Sequence, residues 1–348
     1  MSVGLRLAIL GFGNLGKALA ALLRDHSEWI EGEYQVRFPI TAVADRGGAV
    51  VSPDPLPPAG LLEVKAATDS VCHYPMHGVP GMSGLEMVRC APADVLVELG
   101  PTNVVDGEPG LAHIRAALDR GMHTVTANKG PLVVALNELR DLAHRRGRQL
   151  MYGPATAAAL PTVGFATYQL AGSRIHRIEG ILNGTTNYIL TQMRDRGVSY
   201  PVALREAQSL GIAEANPTLD VEGYDTANKL LIIASSLMKG SLRLSEIERQ
   251  GIDHLTADEI RAARADGKTV KLVGTAWREE GQVRAMVRPT LLDSQHPLAS
   301  VDGTRKAITF HTDLLGTLTV TGGASSRTSA AASIIRDLLT LVREAHLR

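Results

Sequence analysis

Residues 6–23 read RLAILGFGNLGKALAALL: an apolar run, a glycine-rich turn and a helical pattern in immediate succession. No other stretch narrows the possible folds as much. Gly11, Gly13 and Gly16 form GxGxxG with a strand before it and a helix after it, the context that gives the pattern its meaning. Such a turn brings the backbone N–H groups of Asn14, Leu15 and their neighbours close to a pyrophosphate, and the helix dipole favours the anion. The expected fold class is therefore α/β, opening with a Rossmann-type nucleotide-binding domain that takes NAD or NADP. The next strand, 40–44, ends in Asp45, where an acid usually bonds the ribose 2′-hydroxyl of NAD. Asp45 lies further along than the usual ~20 residues. The segment 26–38, with Trp29, Gly32 and Tyr34, reads as an inserted loop that accounts for the excess. Arg46 follows at once and could pair with a 2′-phosphate, so the choice of cofactor stays open.

Two further strands are expected. DVLVEL at 94–99 runs into Gly100, Pro101, Thr102 and Asn103, and TVTA at 124–127 runs into Asn128 and Lys129. Between them 110–120 reads as a helix with Gly121 as its stop. Ligands of an open parallel sheet sit beyond the carboxyl ends of its strands, which makes Thr102, Asn103 and Lys129 candidate cofactor contacts. The Gly- and Pro-rich stretch 47–84 reads as a surface excursion with one short helix near Leu61.

A chain of 348 residues, 45% hydrophobic and with a formal net charge of zero, has material for two domains with filled cores. Charge balance gives no footing for nucleic acid or an anionic membrane. The start shows no signal-peptide cleavage region, and no apolar run is long enough to span a bilayer. Cys72 and Cys90 have no metal-ligand spacing and read as free thiols of a reducing cytoplasm.

The second half carries the chemistry. Residues 178–182 read as a strand, NGTT at 183–186 as a turn, and 187–194 as a helix capped by a Thr or Asn side chain. Then EANPTLDVEGYDTANK, 214–229, gathers Glu214, Asp220, Glu222 and Asp225 ahead of one lysine, Lys229, before the chain turns apolar as LLIIASSLM and meets Gly240. Two readings stand side by side. Asp225 could cap a helix and form an ordinary i,i+4 ion pair with Lys229. Alternatively, the carboxylates hold a cationic substrate group and the lysine gives or takes a proton.

Five segments decide between them: GFGNLG, TANKGPL at 126–132, GILNGTTNYIL at 180–190, GIAEANPTLDVEGYDTANK at 211–229, and HPLASVDG at 296–303. In this order, across nearly the whole chain, they resemble homoserine dehydrogenase. The resemblance implies NAD(P)-dependent interconversion of L-homoserine and L-aspartate 4-semialdehyde, a step toward threonine and methionine. It implies Lys229 as general acid/base, with Glu214 and Asp225 holding the amino acid and Asp220 assisting at the reacting end. Lys129 and Thr185 would add substrate contacts. It further implies a dinucleotide domain over 1–150 completed by a helix at 328–346, and an α+β catalytic domain over 151–320. A small dimerisation element would use parts of 130–155 and 318–348, making a homodimer. No C-terminal regulatory module is expected. The family often holds a monovalent cation in a glutamate-led segment. Here that segment is GPATAAALP, with Gly153 in place of the acid, and only the carbonyls of Thr156 and Ala158 are left as candidate sodium ligands. Lys306 stands where an asparagine is common, and GGASSRTSAA replaces the usual glycine-rich loop near the end. These departures also allow a non-catalytic nucleotide sensor, which would have no need of Lys229.

Overall fold

The computed structural model describes residues 2–240, 242–323 and 326–345. The chain divides into two compact units, Met1–Ala155 with Ser326–Arg348, and Thr156–Ser325.

The first unit is built on a seven-stranded sheet in the order Gly78–Pro80, Gly48–Val51, Ile40–Asp45, Leu7–Leu10, Val95–Glu98, His123–Thr126, Leu150–Met151. The five strands from Ile40–Asp45 to Leu150–Met151 are parallel. Leu7, Ile9, Val43, Val95 and Val97 are wholly buried, as expected of strands covered on both faces. Strand order reverses at Leu7–Leu10, which puts the crevice of the sheet at the glycine turn.

Two sequence readings fail here. The segment 26–38 is not an inserted loop, because the first helix runs unbroken from Asn14 to Tyr34. Its buried positions Leu19, Leu23 and Ile30 continue one face beyond Gly32, and that face packs with Ile334, Leu338 and Leu341 of the C-terminal helix Arg327–Ala345. The helix closes at Gln35 in the left-handed region, φ 56°, with its side-chain amide donating to the carbonyls of Glu31 and Gly32. Nor is 47–84 mainly irregular. Besides the helix Pro58–Thr68 it supplies two strands that extend the sheet in antiparallel fashion. Gly48 is there for close approach: a Cβ would meet the Val79 carbonyl oxygen at 2.4 Å.

The second unit is a six-stranded sheet in the order Glu248–Arg249, Gln282–Asp293, Lys268–Glu279, Ile175–Ile181, Lys306–Thr312, Thr317–Gly322. Its pairs are antiparallel except the first, as an α+β unit requires. Helices Gly184–Arg196 and Tyr224–Leu237 pack on it. The apolar run after Lys229 is buried nearly all round, from Leu230 to Ser235. Its stop is one residue early: Lys239, at φ 46°, turns the chain before Gly240. Among the described residues no helix is long and apolar enough to cross a membrane.

Candidate active site

In the first unit the strand ends converge on the glycine turn. Gly11 N–H donates to the Ala44 carbonyl at 2.9 Å, tying the turn to the neighbouring strand. Gly13 caps the first helix without a side-chain acceptor, so the N–H groups at Asn14 and Leu15 keep their capacity for an anion. The loops after the next two strands are joined through Glu98, a wholly buried carboxylate that accepts from Gly100 N–H at 3.0 Å and Thr126 Oγ1 at 3.1 Å. Thr126 Oγ1 in turn accepts from Asn128 N–H, and Asn128 caps the helix that begins at Lys129. Thr102 is exposed at the strand end. The Asn103 side chain folds into its own loop, on Val105 N–H, Asp106 and the Glu108 carbonyl.

Asp45 stands where the ribose reader was expected, at the end of its strand. Its four acceptor positions are already committed. Oδ1 takes Gly47 N–H at 2.9 Å and Ser70 Oγ at 2.7 Å; Oδ2 takes Lys65 Nζ and Val71 N–H, both at 3.0 Å. Burial pushes this carboxyl's pKa up, but the bonds from Ser70, Val71, Gly47 and Lys65 outweigh it and hold the pKa below the usual range. Arg46 beside it is exposed.

In the second unit the strand Ile175–Ile181 runs into the NGTT turn. Asn183 caps the following helix, its Oδ1 accepting from Thr186 N–H at 3.0 Å. Its Nδ2 reaches Asp220 Oδ1 at 2.7 Å and Asp225 Oδ2 at 2.9 Å. Lys229 Nζ donates to the same Asp225 oxygen at 2.5 Å and to the Leu182 carbonyl at 2.9 Å. Asp220, Asp225 and Lys229 are thus one cluster around the strand end, and Thr185 adjoins it, its hydroxyl on the Ile212 carbonyl at 3.1 Å. Asp225 does not cap its helix, whose N-cap is Gly223 in the left-handed region at φ 82°. The i,i+4 pair is present, yet both side chains are 14% exposed, so it is no surface pair. Burial and the charge of Asp225 raise the Asp220 pKa, against the bonds from Asn183 and Thr185 and the charge of Lys229. Glu214 is exposed in the turn after Tyr200–Ser209; its backbone carbonyl accepts from Gln208.

Sequence reading missed the support beneath this cluster. Asn187 donates to the Val301 and Arg305 carbonyls at 2.9 and 3.0 Å. It accepts from Lys271, a lysine 0% exposed that also bonds Asp302 at 2.9 Å. NGTTNY and HPLASVDG are therefore locked together. A lysine inside the apolar strand TVKLVGTA was the available signal, since a buried charge requires partners.

The expected cation segment carries a lysine amine beside it and no acid at 153. Lys306 is 5% exposed and its Nζ donates at 3.1 Å to the carbonyl of Ala157, the residue between Thr156 and Ala158 in the sequence. A Cβ at Gly153 would meet Asp337 Oδ1 at 2.7 Å, so an acid there would have to displace that carboxylate. Asp337 accepts from Gly153 N–H at 2.8 Å, and burial pushes its pKa up to about 6. Among the described residues no group of His, Cys, Asp or Glu is placed to hold a metal. Of the altered GGASS loop, Ala324 and Ser325 lie outside the described residues, while Ser326 accepts from Ser329 N–H at 3.0 Å as a helix cap would.

The comparisons agree with this geometry. The family model for homoserine dehydrogenase matches residues 161–339, and that for its NAD binding domain matches residues 11–153. The chain belongs to the homoserine dehydrogenase family. Homoserine dehydrogenase of Methanocaldococcus jannaschii is 37% identical over 95% of this chain and 96% of its own length. An NAD(+)-dependent homoserine dehydrogenase of Pseudomonas canavaninivorans is 36% identical over 98% and 97%. A hyperthermophilic archaeal homoserine dehydrogenase in complex with NADPH superposes with a TM-score of 0.83 at 26% identity, covering 98% of each chain. The homoserine dehydrogenase activity is an NAD(P)-dependent oxidoreduction at the substrate's CH–OH carbon, and the nucleotide-binding domain it needs is the sheet that opens the chain.

Proposed function

We propose that Lys229 is the acid/base of this reaction, taking the hydroxyl proton of L-homoserine on oxidation and returning one to the aldehyde oxygen on reduction. The observation that carries the reading is Lys229 Nζ, held at 2.5 Å on Asp225 and 2.9 Å on the Leu182 carbonyl. These partners aim the amine while leaving it one further hydrogen-bond position for a substrate oxygen. A bound nicotinamide supplies the hydride for reduction and accepts it for oxidation. Asp220 and Asp225 present negative charge to the substrate ammonium and the lysine. Glu214, Thr185 and Lys129 add contacts to the amino acid. The turn Gly11–Gly16, with Asn14 and Leu15, takes the pyrophosphate, and Thr102, Asn103 and Lys129 line the cofactor edge. The direct test is oxidation of L-homoserine by the purified chain; binding of nucleotide without any turnover would leave only the sensor reading.

The same proposal includes a preference for NADP. With every acceptor position of Asp45 filled, a ribose 2′-hydroxyl finds no uncommitted oxygen there; Lys65 is likewise committed to Asp45 and Asp69, and the exposed Arg46 is the cation left to meet a 2′-phosphate. The expected kcat/KM for NADP exceeds that for NAD by about tenfold or more, the worth of a charge-assisted bond. Arg46→Ala should erase most of this difference. A tenfold preference for NAD in the wild-type chain would end the reading.

Sodium is not part of the proposal, because Lys306 already presents a donor to the Ala157 carbonyl. Replacing NaCl by tetramethylammonium chloride at equal ionic strength should leave turnover within about twofold, less than the loss of one hydrogen bond would give. A drop of an order of magnitude restored by NaCl would contradict this. A homodimer in the cytoplasm completes the proposal by family resemblance. The edge strand Thr317–Gly322, with Leu314 exposed just before it, offers a surface for a second copy. Sedimentation as a monomer would rule the dimer out.

A further inference from the structure

The two carboxylates nearest Lys229 face a common neighbour. Asn183 Nδ2 lies 2.7 Å from Asp220 Oδ1 and 2.9 Å from Asp225 Oδ2. The amide cannot turn over, because Asn183 Oδ1 accepts from Thr186 N–H at 3.0 Å, and a backbone N–H can only donate. The helix cap therefore fixes which end of the carboxamide meets the acids.

Two carboxylates in one site, left to themselves, tend to share a proton, and one of them becomes a poor acceptor. A doubly donating amide opposes this: each N–H needs an acceptor oxygen, so the amide favours the state in which both acids are ionised. Asp225 in that state is the partner Lys229 needs. We propose that Asn183 is a positioning residue of the reaction, whose cap-locked amide keeps Asp220 and Asp225 apart as two acceptors and so holds Lys229 against an ionised Asp225. The proposal rests on the roles given above to Lys229 and the two acids. It adds that the helix cap and the charge state of the site are set by one side chain.

The charged groups that face Asp220 are Asp225 and Lys229, both from the helix Tyr224–Leu237; Asn183 and Thr185 face it as neutral donors from the turn. Burial and Asp225 already raise the Asp220 pKa, and Asn183 opposes the rise. The sign follows. Without the amide donors the acid pair keeps a proton to higher pH, so the acidic limb of kcat/KM for L-homoserine moves upward.

Asn183→Ser and Asn183→Asp both retain an oxygen for the helix cap and both remove the double donor. In Asn183→Ser the acidic limb should rise by about one pH unit, with kcat/KM on the plateau about tenfold lower, as expected for one charge-assisted bond. In Asn183→Asp the limb should rise further, because a third carboxylate joins the pair. The KM for NADP should stay near the wild-type value in both. A uniform loss across the pH range with the limb unmoved would reduce Asn183 to a structural cap and overturn the proposal, as would wild-type profiles in both variants. Thermal melts confirm that the variants are folded. Failure of the underlying reading is separable: it shows as near-normal turnover in a Lys229 variant, whatever the Asn183 profiles do.

Discussion

Lys229→Ala lowers kcat for L-homoserine oxidation by about a thousandfold, within the range of ~10²–10⁴ for loss of a positioned acid/base. The magnitude follows from how the amine is held. Its two partners, Asp225 at 2.5 Å and the Leu182 carbonyl at 2.9 Å, come from its own helix and from the end of the strand that leads into the NGTT turn. The fold should persist. The helix is secured by the buried Leu230, Leu231, Ile232 and Ile233, and Asp225 keeps its bond from Asn183. Steady-state kinetics with NADP near saturation measures the loss, and added primary amines should restore a fraction of turnover. A variant within tenfold of wild-type kcat would remove Lys229 from the chemistry.

Gly11→Ala carries the second large effect, this time on the nucleotide unit. Gly11 adopts φ +98°, which a residue with a Cβ rarely does, and a Cβ would lie 2.5 Å from the Leu99 carbonyl oxygen and 2.7 Å from its carbon. Both atoms are backbone and cannot swing aside. Leu99 N–H is itself bonded to the Leu10 carbonyl, and Gly11 N–H to Ala44, so the turn cannot relax without breaking the parallel pairing on one side. Strain and overpacking together cost about 3 kcal/mol. In a unit of this size that lowers Tm by roughly 6–12 °C. Cofactor affinity should fall with it, because the N–H groups that meet the pyrophosphate are displaced. A variant with wild-type Tm and NADP affinity would show that the turn is not held as tightly as these contacts require.

Much of the molecule was legible in advance. The strand, the GxGxxG turn and the start of the helix stand where the sequence puts them, because local spacing alone dictates them. The cluster of acids before Lys229 was singled out for its density, and the lysine's pairing with Asp225 follows from helical periodicity. Errors fell where tertiary contact overrides local signals. Gly32 and Trp29 looked like loop residues, but a buried face shared with the C-terminal helix carries the first helix through them. The glycine-rich stretch 47–84 resembles a loop in composition, but Gly48 sits where two strands pass too closely for a side chain. For Asp45 only the fold reveals the partners Lys65, Ser70 and Val71, which are distant in sequence.

The sequence by itself determined the class of fold, the family, and the residue types of the site from Asp220 to Lys229. These depend on patterns that repeat within a helical turn or a strand. The tertiary structure alone decided the state of those residues. It put Asn183 between two acids, brought Lys306 to the Ala157 carbonyl and surrounded Asp45 with four donors. The reason is physical: whether a carboxylate or an amine can meet a ligand depends on which donors and acceptors it already has. Those partners come from segments that only folding brings within 3 Å or so.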